Sequence, residues 1–358
     1  MKIITIVGAR PQFIKLAPVS KEIRKHFEEI IIHTGQHYDF DMNKIFFDEL
    51  GIPIPDYNLN IGSGTHGFQT GEMLKKIEEI LLKEKPDLVL VYGDTNSTIA
   101  GALSASKLNI KIAHVEAGLR SFDRKMPEEI NRVLTDHISN ILFTPTETAD
   151  TNLKNEGVTA GVFNIGDVMY DSLLNALKLI EKKNFKMLNE LNISKKEYIL
   201  ATVHRAENTD IKENLENIIN AFIESNEKII FPVHPRTRKY LEKYGLFEKI
   251  KTCENLKLIS PVGYLEMIYL ENNAKKILTD SGGVQKEAYF LKVPCVTLRN
   301  NTEWVETVLD GWNILVGSDK EKILENISKF NPKTETYNYR FGEGDSSKKI
   351  VDVLRDIF

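Results

Sequence analysis

Short apolar runs alternate with longer stretches of helical spacing from one end of the chain to the other. In the first half the runs Lys2–Val7, Ile30–Thr34, Leu88–Tyr92, Lys111–Val115, Asn140–Thr144 and Val162–Ile165 read as strands. They are apolar on both faces, as strands of a sheet covered on both sides are. Amphipathic helices fill the gaps, among them Phe68–Lys83 and Glu128–Ile138. The second half repeats the pattern, with strands at Tyr198–Val203, Lys228–Val233, Leu256–Ile259, Lys275–Thr279, Pro294–Leu298 and Asn313–Val316. Its helices fall near Ile211–Ser225, Tyr264–Asn272, Gly283–Leu291 and Lys320–Lys329. Strict alternation predicts parallel sheets in an α/β fold, here two doubly wound Rossmann-like domains. The predicted boundaries are 1–168 for the first domain and 169–345 for the second. A hinge is expected near Gly166–Ser172, with the final helix, 346–358, returning to the first domain.

A length of 358 residues fits about two domains. Apolar content of 42% and charged content of 27% describe a globular chain. A net charge of −4 with scattered cations leaves no footprint for nucleic acid. The chain has two cysteines, Cys253 and Cys295, too few for a disulfide framework. Nothing reads as a signal peptide or a membrane span, so a cytoplasmic enzyme or binding protein is expected.

In open parallel sheets ligands sit beyond the carboxyl ends of the strands, so the residues there carry the functional signal. Arg10 and, on the next helix, Lys15 follow the first strand; Asp94 follows the third and Glu116 the fourth; Glu128 opens a later helix behind Pro127. In the second domain His204 follows the first strand, and Ser281-Gly282-Gly283 leads from a strand into a helix. Glycines let backbone N–H groups approach a ligand, and a helix N-terminus favours an anion. Glu287 lies one turn on, placed to accept ribose hydroxyls. This describes a nucleoside-diphosphate cradle without lysine or obligatory metal. These strand ends are expected to face each other across a cleft.

Each feature also has a purely structural explanation. Ser281 and Asp94 are suitable helix N-caps, Pro127-Glu128-Glu129 is an ordinary helix start, and Arg10 is a candidate for a surface ion pair. Gly62-Ser63-Gly64-Thr65-His66-Gly67 fits a dinucleotide fingerprint, but the segment before it is a poor strand, and a loop capping a helix is preferred. His33 and His37 are spaced H-x-x-x-H at a strand end rather than on a helix, which argues against zinc.

With these residues in place the chain closely resembles the non-hydrolysing UDP-N-acetylglucosamine 2-epimerases. The shared motifs are G-A-R-P-Q-F-I-K at Gly8–Lys15, T-G-Q-H at Thr34–His37, Y-G-D-T at Tyr92–Thr95 and H-V-E-A-G-L-R at His114–Arg120. M-P-E-E-I-N-R at Met126–Arg132, T-V-H-R-x-E-N at Thr202–Asn208 and T-D-S-G-G-V-Q-K-E-A at Thr279–Ala288 complete the set. The resemblance implies the GT-B architecture, with UDP held mainly by the second domain and the catalytic acids in the first. It implies nucleotide contacts from Arg10, His204, Ser281, Gly282, Gly283 and Glu287, and uracil contacts from backbone near Val262 and Met267. It places the sugar chemistry at Asp94, Glu116 and Glu128, with Lys15 nearby and His204 at the leaving group. The reaction implied is reversible inversion at C2 of UDP-N-acetylglucosamine through a 2-acetamidoglucal, supplying N-acetylmannosamine for glycan synthesis. No cofactor and no metal are implied, and a homodimer without nucleic-acid or membrane partners is expected.

Two positions depart from the family pattern. Tyr38 replaces an arginine of a regulatory second site, which puts activation by substrate in doubt. Trp304 replaces the arginine of T-E-R-P-E, with Arg299 as a candidate substitute. The alternatives are an epimerase of a modified sugar such as a UDP-2,3-diacetamido-glucuronate, a GT-B UDP-sugar glycosyltransferase, and a nucleotide-sugar-binding protein without chemistry.

Overall fold

The computed structural model describes residues 1–36, 47, 49–183 and 185–358. Met1–Asn175 and Tyr339–Phe358 form one compact unit, and Ala176–Asn338 form a second.

The first unit is built on seven parallel strands: β1 (Lys2–Val7), β2 (Glu28–His33), β3 (Tyr57–Asn58), β4 (Leu88–Tyr92), β5 (Lys111–Val115), β6 (Ile141–Thr144) and β7 (Val162–Asn164). They lie in the order β3-β2-β1-β4-β5-β6-β7. Side chains of β1 alternate between two cores. Ile3 and Val7 join Phe13, Leu16 and Phe143 on one face, while Ile4 and Ile6 join Met73, Ile77 and Ala102 on the other. The terminal helix Ser346–Ile357 adds Ile350, Val351 and Leu354 to the first of these cores. Asp171 anchors its start by accepting from Ser346 N and Ser347 N at 3.1 and 2.7 Å.

The second unit has six parallel strands: β8 (Ile199–Thr202), β9 (Ile229–Pro232), β10 (Leu256–Ile259), β11 (Lys276–Thr279), β12 (Cys295–Thr297) and β13 (Asn313–Leu315). Their order is β10-β9-β8-β11-β12-β13. Ile199 and Ala201 face one core with Phe222 and Phe231; Tyr198 and Leu200 face the other with Leu270 and Ala288. The two doubly wound parallel sheets are those the alternating pattern predicts.

The first sheet has one strand more than the sequence suggested. β3 is a two-residue edge strand, paired to β2 through Ile32↔Tyr57 and His33↔Asn58. Pro53 and Pro55 precede it, and proline donates no ladder bond, so the strand signal there is short and faint. Among the described residues no helix is long and apolar enough to cross a membrane.

The order of strands reverses between β1 and β4 in the first sheet and between β8 and β11 in the second. Such a reversal opens a crevice at the carboxyl ends of the two strands, where the connections leave to opposite sides. Each unit therefore presents one ready-made ligand position.

Candidate active site

In the first unit, loops and helix starts after β1, β4 and β5 converge at that reversal. Gly8 fits where the loops meet, because a Cβ there would lie 1.9 Å from Thr34 Oγ1 and 2.3 Å from Ser97 Oγ. Gln12, in the first turn of the helix Arg10–Ile23, ties β1 to β4. Its Oε1 accepts from Gly8 N at 2.8 Å, and its Nε2 donates to the Tyr92 carbonyl at 2.9 Å. Arg10 is the first residue of that helix and half-buried. Lys15, on the same helix, is buried and forms an ion pair with Glu116. Glu116 holds a left-handed backbone, φ +72°, which a non-glycine residue adopts only when its surroundings enforce it. Gly93 has φ +60°, and a Cβ there would sit 3.2 Å from Glu116 Oε2 and 3.3 Å from Lys15 Nζ.

Asp94 follows directly. The N-cap of the next helix, Asn96–Lys107, is Thr95, whose hydroxyl accepts from Thr98 N. The Asp94 carboxylate is thereby left to pair with Arg132, and the Asp94 carbonyl accepts from Asn131 Nδ2 at 3.0 Å. Both partners sit on the helix Pro127–Ile138. Glu128 is exposed in the first turn of that helix. Its neighbour Glu129 is buried, accepting from Ser121 N and Phe122 N at 2.9 Å each. Asp94, Glu116, Lys15 and Arg132 are thus assembled around the turn after β4, while Glu128 is exposed on the helix that carries Arg132.

In the second unit the organising group is Asp280, fully buried at the end of β11. Its carboxylate accepts from His204 N at 3.0 Å, Arg205 N at 2.9 Å and Asn208 Nδ2 at 3.0 Å. His204 Nδ1 lies 3.2 Å from Asp280 Oδ1. Burial pulls the imidazole below its ordinary range; Arg205 and Arg236 act in the same direction, and Asp280 opposes them. The ring lies edge-on to that of His234 with centroids 5.6 Å apart.

Ser281 is the N-cap of the helix Gly282–Phe290, but its hydroxyl makes no capping bond. Ser281, Gly282 and Gly283 are half-buried at the end of β11, beside the His204 loop that follows β8. A Cβ at Gly282 would lie 3.3 Å from the indole nitrogen of Trp304. Lys286 Nζ sits 3.8 Å above the Trp304 ring, so an aromatic–cation contact occupies this place. Arg299 is engaged by Glu303 at 3.0 Å and Asn301 at 2.9 Å. Val262 and Met267 are half-buried at and just before the helix Tyr264–Asn273, packed on the core.

Glu287 is buried and lies beside Glu271 and Tyr264. Burial pushes the Glu271 carboxyl well above the ordinary range, and the charge and hydrogen bond of Glu287 push it further. The charge of Glu271 also acts on Tyr198, Tyr264 and Cys295.

Reading the sequence by strand ends misses the groups that hold these residues: Arg132, Asn131, Asp280 and Glu271. Arg132 and Asp280 lie inside motifs already quoted, four residues after Glu128 and one before Ser281, so only their roles were hidden. Glu271 carries no such signal. Among the described residues no cluster of His, Cys, Asp or Glu could hold a metal ion. His33 packs on Phe13, with ring centroids 5.1 Å apart, and burial lowers its pKa. His37 and Tyr38 lie outside the described residues. The glycine-rich segment 62–67 follows the short edge strand β3 and runs into the helix His66–Glu84.

Two parallel-sheet units, with carboxylates paired to cations at one reversal and a helix start beside an imidazole at the other, define a two-unit α/β protein. More narrowly, the chain belongs to the UDP-N-acetylglucosamine 2-epimerase family, whose model matches residues 21–355. It is 91% identical over 357 residues to the UDP-N-acetylglucosamine 2-epimerase homolog of Methanococcus maripaludis, covering 100% of both chains. It is 51% identical to the UDP-2,3-diacetamido-2,3-dideoxy-D-glucuronate 2-epimerase of Pseudomonas aeruginosa, covering 99% of each. The crystal structure of the Methanocaldococcus jannaschii UDP-GlcNAc 2-epimerase, in complex with UDP-GlcNAc and UDP, matches with a TM-score of 0.90. That match has 53% identity and covers 99% of this chain and 100% of that one.

Proposed function

We propose that the protein interconverts UDP-N-acetylglucosamine and UDP-N-acetylmannosamine without net hydrolysis, supplying activated N-acetylmannosamine for glycan synthesis. The hydrogen on C2 is not acidic in the bound sugar, so the C1–O bond to UDP must break as that proton leaves. UDP departs with the bonding pair, an enzyme carboxylate takes the C2 proton, and a C1=C2 double bond forms. Returning a proton to the opposite face of C2, and UDP oxygen to C1, completes the inversion.

In this reading the second unit holds UDP. The Ser281-Gly282-Gly283 helix start, His204 and Arg10 stabilise the departing diphosphate, a task for which each preorganised donor is worth about 10²–10³ in rate. Glu287 takes the ribose hydroxyls, and backbone near Val262 and Met267 takes the base. Asp94, Glu116 and Glu128 share the acid and base roles at C2, worth about 10²–10⁴. What supports the reading most is the pair of carboxylates, Asp94 and Glu116, each held by its own cation at adjacent strand ends.

A 2,3-diacetamido-glucuronate substrate is the second reading, favoured by the Pseudomonas relative. That sugar carries a carboxylate and calls for a spare cation. Lys15 and Arg132 are already paired with Glu116 and Asp94, which favours the neutral N-acetyl sugar. Incubation with each UDP-sugar, followed by proton NMR, tests both. The manno isomer should appear from UDP-N-acetylglucosamine at the higher kcat/KM. A protein that leaves this sugar unchanged, or converts only the glucuronate, contradicts the proposal.

A further inference from the structure

The turn that carries Asp94 is held by a buried ionic chain that the reaction above does not use. His114, the fourth residue of β5, is fully buried. Its Nε2 lies 2.7 Å from the Gly93 carbonyl oxygen, and its Nδ1 lies 2.7 Å from Asp136 Oδ1. A carbonyl oxygen only accepts, so Nε2 donates there. Asp136, also fully buried, accepts from Gly118 N at 3.0 Å and Arg120 Nη1 at 2.7 Å as well. Burial acts to raise this carboxyl, but His114 and Arg120 outweigh it and hold it below the ordinary range. Asp136 is therefore the partner of the second ring nitrogen, Nδ1. Beyond Asp136, the charged groups of this chain are Arg120 and Glu156, joined at 2.7 Å, while the Lys15–Glu116 pair stands at Gly93.

One helix, Pro127–Ile138, therefore grips the Gly93–Asp94 turn from two directions. Asn131 and Arg132 hold Asp94 directly, and Asp136 acts through His114 on the carbonyl one residue earlier. We propose that His114, as an imidazolium clamped by Asp136, is a positioning residue that aims the Asp94 carboxylate at the sugar. This rests on Asp94 being an acid–base group of the proposed reaction. A structural stitch alone would be felt in stability. A positioning group is felt in turnover, where a displacement of about 1 Å costs about 10²-fold.

The test compares wild type, His114→Leu and His114→Gln in kcat, KM, melting temperature and UDP affinity. Glutamine can still donate to the Gly93 carbonyl but cannot be a cation. We expect His114→Leu to lose about 10²-fold in kcat with KM within about threefold, and His114→Gln to recover at least about tenfold of that loss. UDP affinity should hold, because His114 bonds to Gly93 and Asp136 and to none of the groups proposed to hold UDP. Nitrogen-15 NMR of the wild-type imidazole should show both ring nitrogens protonated, and it decides the matter if His114→Leu does not fold. A folded His114→Leu with wild-type kcat, a glutamine variant as slow as leucine, or a ring with one bare nitrogen overturns the proposal. If wild type itself turns over no UDP-sugar, the reading of Asp94 has failed and this inference falls with it.

Discussion

At the scale of single residues, His204 joins the clearest sequence signal to the least obvious partner. An imidazole directly after an apolar strand points to chemistry, and it is legible because strand ends are ligand positions in this fold. Asp280, which fixes it, is far away in sequence, so only the pairing of β8 with β11 reveals the contact. Replacing His204 by alanine should lower turnover by about 10²-fold with the melting temperature nearly kept; steady-state kinetics beside a thermal melt checks this. Unchanged turnover would return His204 to a structural role. Glu271 was not legible at all, since a glutamate in a helix is ordinarily a solvent residue. Its carboxyl is raised by burial and by Glu287, so the folded protein keeps a proton that the unfolded chain gives up above the ordinary value of 4.5. That contribution to stability is full at low pH and is lost as the pH climbs toward the raised value. Glu271→Gln cannot ionise, so its melting temperature should improve relative to wild type between about pH 5 and about pH 8. Parallel melting curves across that range would show that Glu271 is not held protonated.

At the scale of elements, twelve of the thirteen strands among the described residues are announced by apolar runs, because a doubly covered strand shows apolar residues on both faces. The exception, β3, is short and lies at an edge, where half of each residue's pairing is absent. Neither Glu116 at φ +72° nor the ion pairs beneath it could be read from spacing, since strain and contact are products of the assembled turns. Lys276 shows the same limit. It begins β11, where a lysine reads as an exposed strand start, yet it is buried and donates to the carbonyls of Asn326 and Ile327 at 2.8 and 2.6 Å. Those carbonyls belong to the last turn of the helix Lys320–Lys329, so a strand lysine supplies the C-terminal cap. Burial pulls its pKa down to about 8. Lys276→Met should leave these carbonyls without their donor and destabilise the protein by about 1–3 kcal/mol, measured by denaturant unfolding. A neutral result would mean that water or another donor takes the place of the ammonium.

At the scale of the molecule, the proposed acid–base residues Asp94, Glu116 and Glu128 lie in one compact unit, and the residues proposed for the diphosphate, Arg10 excepted, lie in the other. That division predicts a separation of effects. Asp94→Asn should cut turnover by about 10²–10⁴ while UDP binding, followed by calorimetry, stays within a few-fold of wild type. Loss of UDP affinity along with activity would place Asp94 in nucleotide binding instead. The central claim is that C2 loses its proton when UDP leaves C1 and regains one from an enzyme acid that exchanges with solvent. The most direct measurement is turnover of UDP-N-acetylglucosamine in deuterated water, with the product read by proton NMR and mass. The manno product should carry deuterium at C2 and be one mass unit heavier, as expected for one exchanged hydrogen. Manno product that keeps its original C2 hydrogen throughout the reaction would contradict elimination and re-addition through a solvent-exchanging acid.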